Sequence, residues 1–197
     1  MQDPGGENQI ILFKSCFPNS ALEGNSEDPP TEGDNPLGGI DAWSGFHTVA
    51  NAKGIYVNLL DVFASRPDKL SVAITTPPLH EDETTLEQAA DARAFNRWLD
   101  EDWLAEYPLS NVAEFNFYNY NVLTSNAGSP DENDAGASGG NHHRLMNGEI
   151  EYIDDQCLDT SAYVCPGDSH PTPAGNQKAA EEFVPLLDAL DQRWLSE

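Results

Sequence analysis

Two short stretches hold the residue types that nucleophilic chemistry needs. In "IILFKSCFPNS", Ile10 to Ser20, an apolar run ends on Lys14-Ser15-Cys16, so a hydroxyl and a thiol stand side by side where a strand is expected to stop. In "GDSHPTPAGN", His170 follows Asp168 by two residues, just ahead of a helix expected from Pro173. An imidazole so placed can take the proton of a hydroxyl or thiol, while a carboxylate on its other ring nitrogen fixes the tautomer. Taken alone, a D-x-H in a loop is more often a surface Asp beside an exposed His. The order along the chain raises its standing: nucleophile after the first strand, acid and base before the last helix.

Other candidates are weaker. "NAGSPDENDAGASGGNHHR", from Asn126 to Arg144, is too long for a simple connection. Its adjacent His142 and His143 do not have zinc-ligand spacing. Asp131 and Asp134 lack the alternating oxygen pattern that closes on Glu in a calcium loop. No metal and no cofactor are expected. His142 and Arg144 remain candidates for lining a substrate pocket, because this loop leaves the carboxyl end of the third expected strand. Trp43 is a further candidate, although a buried tryptophan is the commoner case.

The composition narrows the partners. Asp and Glu number 34 against nine Lys and Arg, a formal charge of −25, which repels nucleic acid and anionic membranes. The carboxylates are spread along the chain, as on the surface of a folded domain adapted to salt, where cations screen self-repulsion. The 197 residues suffice for one domain over 9–197, behind a flexible segment over 1–8. No apolar stretch reaches the roughly 18 residues of a membrane span. "MQDPGGENQ" is not a signal peptide, so secretion would require a leader absent from this chain. Cys157 and Cys165 flank a turn-rich stretch and could close a small disulfide loop that leaves Cys16 odd; the alternative is three reduced thiols.

Elements that would position these residues follow from periodicity. Gln9–Phe13, Leu70–Thr75 and Asn111–Tyr118 read as buried strands. Helices are expected from Thr48 to Ser65, from Thr84 to Glu106, and from Pro173 toward Trp194, the last with Pro185 inside it. In the first, Val49, Ala52, Tyr56, Leu59, Leu60 and Phe63 share a face. In the second, the apolar face carries Leu86, Ala90, Trp98, Leu99 and Trp103. Leu22–Gly45 is expected to be a long loop, and "GEIEYI" a short strand. The alternation predicts an α/β domain with a parallel sheet and helices on both faces, its ligands beyond the carboxyl ends of the strands.

With "DSHPTPAGN" at one end and "FKSCFPNS" at the other, the chain resembles the SGNH, or GDSL-type, hydrolase superfamily. It is closer to a subgroup whose first block replaces the usual Gly-Asp-Ser. The resemblance runs from Ile10 to about Leu187 and includes "HTVANAKGIY", "LSVAITTPPL" and "ADARAFNRWL". It implies a flavodoxin-like three-layer α/β/α sandwich and metal-free ester hydrolysis by Ser, His and Asp, with an oxyanion hole of backbone N–H, Gly and Asn. Three departures stand out. The family's Asp lies three residues before its His, a place held here by Gly167, with the carboxylate at Asp168. Aligning Lys14-Ser15-Cys16 with Gly-Asp-Ser puts Cys16 at the nucleophile's position. "GGID" carries Ile40 where the oxyanion Asn belongs, so Asn51 is the nearby substitute, although a mid-helix amide more often faces solvent or braces a loop.

Strand register thus favours Cys16 and family chemistry favours Ser15. The expected activity is a secreted, extracellular hydrolase of small ester bonds, with an acylated carbohydrate as the first substrate class by analogy. The alternative is an inactive module of the same fold that binds glycan or serves in assembly.

Overall fold

The structure, a computed structural model, describes residues 7–41, 44–76, 79, 83–115, 117, 143–146, 149–152, 169–170 and 173–196. Three parallel strands form the main sheet in the order β1 (Ile10–Lys14), β2 (Leu70–Ile74), β3 (Val112–Phe115). They are in step at the carboxyl edge: Lys14 pairs with Ile74, and Ile74 with Phe115. Between them run α1 (Val49–Ala64) and α2 (Leu86–Glu101), and α3 (Pro173–Leu195) follows. The parallel α/β architecture read from the sequence is therefore present.

Local signals set the helix starts. The Thr48 side chain accepts from the Asn51 N–H, and Thr85 and Gln88 form a reciprocal capping box at the head of α2. That box starts α2 at Leu86, two residues later than expected, and it ends at Glu101 rather than Glu106. The buried stripe is Ala89, Ala92, Phe95, Asn96 and Leu99, while Leu86 is exposed. Placing Leu86 and Ala90 on the core face set the phase one position off.

Both crossovers step the same way across the sheet, so the usual handedness puts α1 and α2 on one face. There Leu22, Val49, Ala52, Tyr56, Phe95, Leu99 and Trp103 pack with Ala73 and Val112. Opposite them, Leu70, Val72 and Ala113 pack with Leu190, Leu186 and Phe183 of α3. The strands run without the reversal of order that marks a flavodoxin-like sheet, in which the first strand lies between the second and third. β2 and β3 are buried but for one half-buried residue each, Ile74 and Glu114. Ile11 and Leu12 of β1 are exposed, at 43% and 46%, against the expectation of a buried strand. An apolar run does not by itself tell a central strand from an edge strand.

The segment read as a long loop is anchored. Leu22 is in the core, Glu23 bridges to Thr48, and Lys53 Nζ donates to the Ser26 and Asp28 carbonyls at 3.2 and 2.8 Å. It lies so close to α1 that a Cβ on Gly54 would sit 2.6 Å from the Thr31 carbonyl oxygen. This is why a full turn of α1, Asn51 through Gly54, is buried although two of its residues are polar. At the other terminus, Glu7, within the segment expected to be flexible, pairs with Arg66 and Lys69 at 3.0 and 3.2 Å.

Beyond the main sheet, β4 (His143–Met146) and β5 (Glu149–Tyr152) form an antiparallel hairpin. The short strand expected in "GEIEYI" is β5. Its partner β4 takes in His143 and Arg144, which the sequence had assigned to the loop.

Candidate functional site at the carboxyl edge of the sheet

Beyond Lys14 the chain stays extended through Cys16 (φ −93°, ψ 170°) and then winds into one 3₁₀ turn, Phe17–Ser20. The turn is fastened to the end of β2. The Ser15 N–H donates to the Ile74 carbonyl at 3.3 Å, and the Ser20 and Thr76 hydroxyls are bonded at 2.7 Å. Side chains alternate along extended chain, so Ser15 continues the Phe13 side toward α1, while Lys14 and Cys16 fall on the α3 side.

The surroundings of Ser15 bear this out. Its hydroxyl accepts from Asn19 Nδ2 and lies near the Tyr56 phenol of α1. Asn19 is itself held, because His47 Nε2 donates to its Oδ1 at 2.5 Å. Burial pushes the Tyr56 phenol up to about 12, so it stays protonated near neutrality. One layer below, burial together with Asp100 raises the Glu114 carboxyl well above its ordinary range. Ser15 is thus built into a buried polar cluster of Asn19, His47 and Tyr56. The sequence reading missed all three, although an Asn behind a Pro in a tight turn and a His ahead of a helix cap are visible signals.

On the other side, Cys16 is an exposed free thiol. Its neighbour Phe17 meets the His170 ring edge-on, with centroids 5.1 Å apart. Phe17 and His170, 153 positions apart in sequence (170 − 17), therefore share one corner of the molecule. The histidine segment is tied down by the buried Ser169, whose hydroxyl donates to Glu83 Oε2 at 2.5 Å just ahead of α2.

Phe17 and His170 border a cavity of about 390 Å³, within the usual range of small-molecule sites. The last residues of all three main strands, Lys14, Ile74 and Phe115, line it, as their shared register requires. Phe17, His170, and Asn176 and Phe183 of α3 also line it.

Asn51 is used elsewhere. Its Nδ2 donates to the Phe46 carbonyl at 2.8 Å, and its Oδ1 accepts from Thr31 at 2.6 Å, so its amide braces the loops over α1. Arg144 lies on β4. Asp168, His142, Trp43, Asp131, Asp134, Cys157 and Cys165 lie outside the described residues. Among the described residues there is no group of three or more His, Cys, Asp or Glu able to hold a metal ion, and no helix long and apolar enough to cross a membrane.

Compared with protein-family models, with curated proteins and with solved structures, the chain matches none.

Proposed function

We propose that this chain is an SGNH-like hydrolase of small ester bonds, with three layers, the nucleophile at the end of β1 and His170 as its base. The observation that carries the reading is the Phe17–His170 contact, which brings the Ser15-Cys16 turn and the histidine together over an open cavity at the carboxyl edge. Apolar clusters on both faces of the main sheet support the layered arrangement.

Two observations favour Cys16 over Ser15 as the nucleophile. The Ser15 hydroxyl is bonded to Asn19 and turned toward α1, whereas the Cys16 thiol is exposed and lies by alternation on the side of His170. In the reaction, sulfur attacks the acyl carbon, and the thiol proton passes to His170 and on to the departing alcohol. Water, its proton taken by the same imidazole, then cleaves the thioester and releases the acid. Asp168 is the proposed orienter of His170. The Phe17 backbone N–H at the start of the 3₁₀ turn is the proposed oxyanion donor, since Pro18 has no N–H and that of Asn19 is given to the Cys16 carbonyl.

The test is turnover of p-nitrophenyl acetate by the parent and by Cys16→Ala, Ser15→Ala and His170→Ala. The reading expects loss in the first and third and retention in the second. Background rates in all four, with unchanged melting, would instead favour an inactive module of the same fold that binds glycan or serves in assembly.

A further inference from the structure

The cavity's lining is more selective than its place at the strand ends requires. Its walls are rings: Phe17 on the turn, Phe115 and Phe117 at the end of β3, and Phe183 on α3. Phe115 and Phe183 lie 5.0 Å apart, and Phe115 and Phe117 6.0 Å apart, both tilted, so edges as well as faces are offered to a guest. Among the described residues, the ammonium that lines this cavity beside His170 is Lys14. Lys14 Nζ lies 5.8 Å above the centre of the Phe17 ring. In a chain of net charge −25, an ammonium at the rim of an aromatic cavity gives an anion a local reason to approach a surface that otherwise repels it.

We infer that the cavity binds an arylalkanoate, with its ring among Phe115, Phe117 and Phe183 and its carboxylate on Lys14. A bare sugar, ringed with hydroxyls, would offer the phenyl walls less apolar surface than an aryl group, and acetate would leave most of the space to water. Neither uses both halves of the site. That this ligand is the acyl part of the substrate rests on the hydrolase reading; the binding itself does not. The aryl acid is then the product of ester cleavage, and the alcohol half of the ester faces solvent.

The experiment is calorimetric titration of the folded protein with 3-phenylpropanoate, its neutral isostere 3-phenylpropan-1-ol, and acetate. The expected result is one 3-phenylpropanoate per chain, bound at least about tenfold more tightly than acetate. Lys14→Gln should lose about tenfold for the acid and leave the alcohol unchanged. Ala180→Trp, at an exposed position of the cavity wall, should abolish binding of both without altering the circular dichroism. Equal binding of acid and acetate, no binding of the acid, or an acid affinity indifferent to Lys14→Gln would overturn the proposal. Binding without turnover of any ester leaves this site standing and removes the hydrolase reading; turnover without acid binding does the reverse.

Discussion

Phe17 and His170 meet edge to face, with ring centroids 5.1 Å apart and planes at 77°. One ring belongs to the turn that ends β1, the other to the segment ahead of α3. Their contact closes the corner in which the proposed nucleophile and base would meet. It also gives Phe17 a positioning role: Phe17→Ala should slow ester turnover mainly through kcat, while Phe17→Tyr, which keeps the ring, should restore it. Equal loss in both variants would show that the ring contact is not what matters.

The loop over α1 makes a stability prediction. Gly54→Ala would place a Cβ 2.6 Å from the Thr31 carbonyl oxygen and 2.7 Å from Asn35 Nδ2. Backbone has to move, so urea unfolding should register a loss of about 1–3 kcal/mol. Earlier proteolysis within 22–37 should accompany it. A variant as stable as the parent would mean that the loop does not press on the helix.

Asp91 gives a pH dependence. Burial, with Glu87 and Asp28 nearby, raises its carboxyl to about 6, and one of its buried oxygens has no hydrogen-bond partner. An acid whose folded pKa is raised holds its proton better folded than unfolded. Its cost to stability is therefore absent below the unfolded value near 4 and grows as pH rises through about 6. Asp91→Asn should then raise the melting temperature at pH 7.5 and change it little at pH 4. A gain at pH 4 as large as at pH 7.5 would contradict this.

The charge of −25 predicts a salt response. Raising potassium chloride from about 10 mM, where the Debye length is roughly 30 Å, to about 1 M, where it is roughly 3 Å, should raise the melting temperature by screening carboxylate repulsion. A flat or falling trend would show that the acidity is not a salt adaptation.

Much of the architecture was legible because its signals are local. Mainly apolar runs at Leu70–Ile74 and Val112–Phe115, each broken by one polar residue and separated by helical periodicity, specify parallel strands with few alternatives. The exposure of Ile11 and Leu12 was not legible, since neighbours distant in sequence decide which strand is at the edge. Nor was the burial of Lys53, which depends on a loop folding back across α1; Gly54 in mid-helix was the visible trace of that contact. At the site, the sequence drew attention to Ser15, Cys16 and His170. It did not reveal which neighbour faces which layer. That followed from the alternation of extended chain and from the Asn19 bond to Ser15, made on the side where Tyr56 of α1 stands.

The most direct test of the account is the site of acylation. The protein is mixed with p-nitrophenyl acetate, quenched in acid after a few seconds, digested and mapped by mass spectrometry. The account predicts a single acetyl group on Cys16, absent in Cys16→Ala, strongly reduced in His170→Ala and retained in Ser15→Ala. Acetyl on Ser15, or no adduct on either residue while the ester is consumed, would contradict it.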